Sequence, residues 1–200
     1  VGRLQRLKGP QVLLRAVAEM VRRKHRPNLQ VIVCGGPSGS GMERPDEFLE
    51  LADDLGIGNI VRFLPPRPPE ELVSLYRAAD VVAVPSYNES FGLVAMEAQA
   101  AGTPVVAARV GGLPIGVRDG ETGVLVPGHG VNEWADALEG ILLDDEGRVR
   151  MAKAAPAHAA SFSWERTVDT LLRVYDRAQR ANGETGAIDH DCAPRPAEGT

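Results

Sequence analysis

Apolar residues recur at helical spacing from Gln11 to His25, at Val12, Leu13, Ala16, Val17, Met20 and Val21, and Pro10 stands where proline opens helices. The pattern then changes. Leu29 to Cys34 hardly alternates and predicts a strand buried on both faces. Gly35 to Pro45 is a Gly/Ser/Pro loop. Asp46 to Leu55 predicts a short amphipathic helix stopped by Gly56, and Asn59 to Leu64 a strand. Pro65 to Pro69 is a rigid turn before a helix over Glu70–Ala79 and a strand over Asp80–Val84. Pro85 to Ser90 is a polar loop. Ser90 suits an N-cap, and Gly102 a C-terminal stop, for the mostly apolar helix between them. Thr103–Ala108 and Gly123–Val126 predict strands, separated by the loop Arg109–Gly112 and a helical turn over Leu113–Arg118. Helices follow over Asn132–Leu143 and Glu146–Ala160. Ser163 caps a last one to Ala181, with Trp164, Val168, Leu171, Leu172 and Tyr175 on one face.

Strands alternating with helices across short loops predict an α/β, Rossmann-like parallel sheet flanked by helices. Val1–Leu4 has the pattern of a strand end, completed by a loop over Gln5–Gly9. The expected domain covers residues 1–181. From Asn182 the composition turns polar with Gly and Pro, and predicts a disordered tail over 182–200. Ligands of such sheets bind beyond the carboxyl ends of the strands. That edge carries Gly2–Gly9, Gly35–Pro45, Pro65–Pro69, Pro85–Ser90 and Arg109–Leu113.

Composition narrows the classes. Two hundred residues with 44% hydrophobic content suit a domain with a good core, and a net charge of −5 argues against general nucleic-acid binding. The basic run Arg22–Arg26 reads either as a solvated helix end or as a contact for an anionic membrane. No apolar run approaches the ~20 residues that span a bilayer. Cys34 and Cys192 are far apart, and with His25, His129, His158 and His190 they form neither a disulfide framework nor a zinc spacing, so a reducing, cytoplasmic setting is expected. The contiguous His190-Asp191-Cys192 is no triad, because triads converge in space. A start at Val1 rather than Met predicts that the sequence begins inside a longer protein.

Gly35–Gly41 fails both phosphate-loop tests. Met42 stands where a P-loop requires lysine, and Arg44 where the dinucleotide fingerprint requires glycine, which weakens a nicotinamide dehydrogenase reading. It is either a flexible connector or part of a site wall. Arg3 and Lys8 flank a Gly-containing loop at a strand end. They are two surface cations or, with the helix terminus at Ser90-Phe91-Gly92, the ligands of a diphosphate. Glu97 interrupts an apolar helix with no basic residue three or four places away. Its partner is a salt bridge from elsewhere in the fold or a ligand, and one carboxylate spans a ribose diol well. Glu89, at the helix mouth, reads as a loop carboxylate or as an acceptor for the hydroxyls of a donor sugar.

The pair Glu89-x7-Glu97 inside Pro85-Ser-Tyr-Asn-Glu-Ser-Phe-Gly-Leu-Val-Ala-Met-Glu-Ala resembles the signature of retaining glycosyltransferases of family 4, which have the GT-B fold. Val1-Gly2-Arg3-Leu4 with Lys8-Gly9, Gly102–Val106, Gly111-Gly112-Leu113 and Asp119-Gly120-x-Thr122-Gly123 match the same family in order, over about Val1–Ala181. The resemblance implies the C-terminal, donor-binding half of such an enzyme. Arg3 and Lys8 would hold the diphosphate, Arg67 would lie by the nucleotide, and Glu89 and Glu97 would hold sugar and ribose. Arg3, Lys8 and Glu89 are then the catalytic candidates, and Ser90, Phe91 and Gly92 complete the donor contacts. Val61–Pro66, Leu75–Asp80 and Phe162–Thr167 resemble a subgroup that moves N-acetylglucosamine from UDP-N-acetylglucosamine to inositol phosphate in mycothiol biosynthesis. That subgroup implies a magnesium site at Tyr76, Arg77, Ala79 and Thr103, the first three through backbone carbonyls. Acceptor site and acceptor would belong to an N-terminal domain toward which Trp164–Ala181 crosses. A homodimer is a further expectation. The alternatives are another hexosyltransferase, glucosyl or mannosyl, and a non-enzymatic nucleotide-sugar-binding module.

Overall fold

The computed structural model describes residues 1–24, 28–36 and 46–184, with side chains to 181. Most of the Gly35–Pro45 loop, His25, and the tail with His190 and Cys192 fall outside the described residues. A 3-10 turn, Arg6–Lys8, precedes α1 (Pro10–Arg23), β1 (Val31–Cys34), α2 (Asp46–Asp54), β2 (Val61–Leu64) and α3 (Pro69–Ala78). There follow β3 (Val82–Val84), α4 (Leu93–Ala100), β4 (Val105–Ala108), the single turn α5 (Leu113–Gly116) and β5 (Gly123–Val126). The helices α6 (Val131–Leu143), α7 (Asp145–Ala160) and α8 (Trp164–Glu184) complete the order. Two compact units result, one from Val1 to Ala160 and one from Ser161 on, and α8 lies in the second. Within that second unit Ser163 Oγ accepts the Arg166 N–H at 3.4 Å, the expected N-cap, and Trp164, Val168, Leu171, Leu172 and Tyr175 are exposed.

All strand pairings are parallel, as the unalternating strands predict. The sheet, however, is not continuous. β1 pairs only with β2, Val31 opposite Val61, while β3, β4 and β5 form a separate sheet in that order. α1 serves both. Val12, Ala16 and Met20 enter the core around β3–β5 and α6; Leu14 and Val17 enter the core around β1, β2 and α2. Every residue of β4 is inaccessible to solvent, which makes it the centre of the larger core.

In the basic run, Arg22 and Arg23 are engaged rather than free. Arg22 and Arg23 both donate to Glu19, and Arg23 reaches across to Asp136 at 2.5 Å and Glu139 at 3.0 Å, clamping α1 to α6. This favours the helix-end reading over a membrane contact, and Lys24 ends α1 in the left-handed conformation. The hydrogen bond from Arg22, then that from Arg23, pulls the Glu19 carboxyl down to about 2. A depressed carboxyl stabilises the fold above its unfolded value and loses that contribution as pH falls through its folded one. Melting temperature should therefore drop between pH 4.5 and about 2, and Glu19→Gln should flatten that limb in a pH series of thermal melts. An unchanged limb would remove the clamp from the account of stability.

Candidate functional site

Four loops meet beyond the carboxyl ends of the strands. Tyr87 N–H donates to Leu7 O at 2.8 Å, tying the loop after β3 to the 3-10 turn. Gly9 makes this approach feasible: its φ of 73° is left-handed, and a Cβ there would overlap the Pro85 carbonyl oxygen. Gly112 N–H donates to Glu89 O at 2.8 Å, adding the loop after β4. From the loop after β5, the His129 ring stacks on Tyr87 at 3.8 Å and 12°, and its Nε2 lies 3.1 Å from Ser86 O.

At this junction Lys8 Nζ donates to Glu89 Oε2 at 2.6 Å, and Ser86 Oγ donates to the same oxygen at 3.3 Å. Both partners are largely shielded, at 28% and 17% side-chain exposure. The fold thus joins two of the three catalytic candidates, which lie 81 residues apart. In such a pair each charge offsets part of the other's desolvation. Arg3 is exposed on the same edge, where Leu4 N–H donates to Gly36 O at 2.9 Å. Arg67, also exposed, pairs with Glu71 in the first turn of the α3 that follows it, at 3.1 Å.

Ser90 is not the N-cap of α4. Gly92 is, at φ 86°, and the helix starts at Leu93. The backbone of Glu89–Ser90 is held by Gly111 and Gly112, so helix geometry begins only after the chain leaves that contact; a Cβ on Gly112 would overlap Ser90 O. The amides left free by a helix start are its first few. With Gly92 as the cap they are those of Gly92, Leu93, Val94 and Ala95, and Met96 N–H makes the first intrahelical bond, to Gly92 O. Gly102 ends the helix as expected: it is left-handed at φ 88°, and its N–H donates to Gln99 O at 3.0 Å. Gly112 itself has an ordinary φ of −82°. Gly112→Ala should therefore add overlap without backbone strain, displace Ser90, and lower the melting temperature. An unchanged melting temperature would show that the loop yields to the added methyl group.

Glu97 is more exposed than an apolar helix suggests, and it has a partner within the fold. Tyr76 Oη donates to its Oε2 at 2.8 Å. Burial of Tyr76, and next the bond to Glu97, pushes the phenol pKa upward, so Tyr76 remains a donor. No sequence signal marks this contact, since the two stand on different helices. His129 is the other residue that sequence reasoning missed.

The magnesium candidates collect elsewhere. Thr103 Oγ1 donates to Tyr76 O at 2.6 Å, and Ala79 N–H to the same carbonyl at 3.1 Å. Both bonds converge on the Tyr76 carbonyl and occupy it. They lie at the amino ends of β3 and β4, the edge opposite Lys8 and Glu89. Among the described residues no group of three or more His, Cys, Asp or Glu could hold a metal. The motif at Asp119–Gly123 is structural: Asp119 Oδ1 accepts Leu125 N–H at 2.9 Å and Thr122 Oγ1 accepts Arg118 N–H at 3.1 Å, building the turn before β5.

Parallel sheets flanked by helices, with loops gathered at the carboxyl edge, are the architecture this chain shares with GT-B glycosyltransferases. Residues 1–158 match the family described as Glycosyl transferases group 1, and the chain belongs to it. It is 61% identical over 180 residues to the D-inositol 3-phosphate glycosyltransferase of Corynebacterium kroppenstedtii, covering 90% of this chain and 40% of that protein. The chain thus spans less than half the length of such curated relatives. Among solved structures, sucrose-phosphate synthase from Thermosynechococcus elongatus superposes with TM-score 0.76 at 33% identity, over 90% of this chain and 45% of that one. Anabaena Alr3699/HepE in complex with UDP superposes with TM-score 0.76 at 28% identity, over 88% and 48%. No helix among the described residues is long and apolar enough to cross a membrane.

Proposed function

We propose that this chain is the donor-binding half of a retaining glycosyltransferase that transfers N-acetylglucosamine from UDP-N-acetylglucosamine to 1D-myo-inositol 3-phosphate, a step of mycothiol biosynthesis in a cytoplasmic setting. The observation that carries the donor site is the shielded Lys8–Glu89 pair at the junction of the strand-end loops. Lys8, with Arg3, accepts the diphosphate, and the free amides at Leu93–Ala95 add the positive end of α4. Glu89, released from Lys8, accepts from hydroxyls of the sugar, and Glu97 from the ribose diol. Arg67 faces the nucleotide base once it exchanges Glu71 for it. Among these groups none is left as a nucleophile, since Glu89 is taken up by the hydroxyls of the sugar. The acceptor oxygen therefore bonds to the sugar C1 on the face from which the diphosphate leaves, and a leaving phosphate oxygen takes its proton. Arg3, Lys8 and the amides stabilise the charge on that phosphate.

A magnesium ion at Tyr76, Arg77, Ala79 and Thr103 would brace the starts of β3 and β4. It would not neutralise the diphosphate, which binds at the other edge. Acceptor binding, and any homodimer contact, belong to the full-length protein.

Titration calorimetry of this chain with UDP, GDP and ADP tests the donor reading: UDP should bind tightest, and heat from none of the three would overturn it. In the full-length protein, UDP-N-acetylglucosamine with inositol phosphate should give product, against UDP-glucose and GDP-mannose as competing donors. UDP binding without any transfer would favour a binding module.

A further inference from the structure

Gln99 and His158 are buried polar side chains that the donor contacts do not use. Gln99, in the last turn of α4, is inaccessible to solvent, and His158, in the last turn of α7, is 7% exposed. They meet at one atom. Gln99 Nε2 donates to Gly116 O at 2.8 Å, and His158 Nε2 lies 3.1 Å from the same oxygen. A carbonyl only accepts, so Nε2 carries the proton of that imidazole.

Gly116 closes α5, and α5 lies beneath the donor loop. A Cβ on Gly111 would overlap Glu89 O, and one on Gly116 would stand 3.5 Å from Phe91 O. Between them, Gly112 presses on Ser90 O and the Leu113 side chain on Gly92. Each residue of Glu89–Gly92 thus rests on the segment 111–116. A single helical turn has little stability of its own, so its place depends on what holds its ends. Gly112 N–H, bonded to Glu89 O, holds the start. The two side chains on Gly116 O hold the other end, one from α4 and one from α7.

Gln99 is an unfavourable choice if packing is its only task. Its Oε1 is buried without a hydrogen-bond partner among the described residues. An unpaired amide oxygen in a core costs stability, and an apolar side chain of equal length would avoid that cost. What the amide adds is direction. Its nitrogen bonds Ala95 O within α4 at 3.0 Å and Gly116 O outside it, using both hydrogens. Glu97 stands on the same helix two residues earlier.

We infer that Gln99 and His158 are positioning residues: through Gly116 O they fix α5 as the bed of Glu89–Gly92, and so set Glu89 relative to Glu97. The inference rests on the donor reading given above, in which those carboxylates meet sugar and ribose.

The test uses the full-length protein. Gln99→Met keeps length and volume and removes the amide. Its melting temperature should hold or rise, because the unpaired oxygen goes with the donor. The kcat of sugar transfer should nonetheless fall about tenfold, with UDP affinity within about twofold of the wild type. Exchange of the Gly112 amide should quicken about tenfold. His158→Phe should lower the rate likewise, and His158→Gln, which keeps a donor near Nε2, should restore most of it. Combining Gln99→Met with His158→Phe should cost more than the product of the two losses, since either donor alone still holds the carbonyl. Wild-type turnover and exchange in Gln99→Met would overturn the proposal. So would a rate that falls only as stability falls, an equal loss of UDP affinity, or no advantage of His158→Gln over His158→Phe. Failure of the donor reading has a different sign: the wild type itself binds no UDP, while exchange at Gly112 still decides whether the two side chains hold α5.

Discussion

Lys8→Ala in the full-length protein is expected to slow sugar transfer about 10²–10³-fold, the loss that follows removal of one preorganised group aimed at developing charge. The reason lies in what Lys8 holds at rest. Its Nζ is 2.6 Å from Glu89 Oε2, and both side chains are mostly out of solvent. Without the lysine the carboxylate remains, shielded and uncompensated, at the place proposed for the diphosphate. The variant thus loses an attraction and gains a repulsion. Lys8→Arg should not restore the rate, because a planar fork on a longer stem cannot occupy the position of a point charge 2.6 Å from Glu89 Oε2. Two readouts separate this from misfolding. The melting temperature should fall only slightly, and kcat should fall more than UDP affinity, since the charge on the diphosphate grows as the sugar departs. A double-mutant cycle with Glu89→Gln should give strongly non-additive losses, as expected for partners in direct contact. Additive losses would mean that the pair is a surface ion pair with no part in transfer.

What the sequence announces about this site is the part made locally. A cation in a Gly-containing loop at a strand end, and a helix with its C-terminal glycine, are legible because each depends on neighbouring residues. Gly102 stops α4 where its position says it should, and Pro156 passes through α7 without moving the helix bounds read from the pattern. The N-terminus of α4 lies past Ser90 for a non-local reason. Ser90 has the right chemistry for a cap, but Gly111 and Gly112 arrive from β4 and hold its backbone out of the helix. Glu97 is the same lesson in another form: its partner Tyr76 is on a different helix, and no spacing rule connects them. The division of the sheet was invisible too, because a strand pattern says that a strand forms, never which neighbour it finds. α1 illustrates this: one helical stripe serves two cores, Leu14 and Val17 facing one sheet and Val12, Ala16 and Met20 the other.

Trp134→Ala should destabilise the unit by about 3–5 kcal/mol, the range for emptying a large buried aromatic site. Trp134 is the largest fully buried side chain, at 0% exposure in α6, within the core that joins α1 and α6 to β3–β5. The cost has two parts. The cavity would sit between helix and sheet, where packed neighbours on both sides limit collapse. The indole N–H, which donates to Gly128 O at 3.2 Å, would leave that carbonyl without its donor. A typical domain holds only about 5–15 kcal/mol in total, so the melting temperature should fall by roughly 6–20 °C for a unit of this size. Trp134→Phe, which keeps most of the volume but not the donor, should cost roughly a third of that. The midpoint of urea unfolding followed by circular dichroism measures both, and an unchanged m-value keeps the comparison on stability alone. The substitution also reaches the donor site, through one residue. Gly128 precedes His129, whose ring lies under Tyr87 in the loop that carries Glu89. With the indole gone, the 127–130 loop loses the bond that fixes it, and the stacked pair loses its footing. UDP affinity of the still-folded variant should therefore drop severalfold at a temperature well below its melting point. Trp134→Phe together with His129→Ala should lose no more affinity than His129→Ala alone. If the two losses instead add, Trp134 affects nucleotide binding by a route other than this loop.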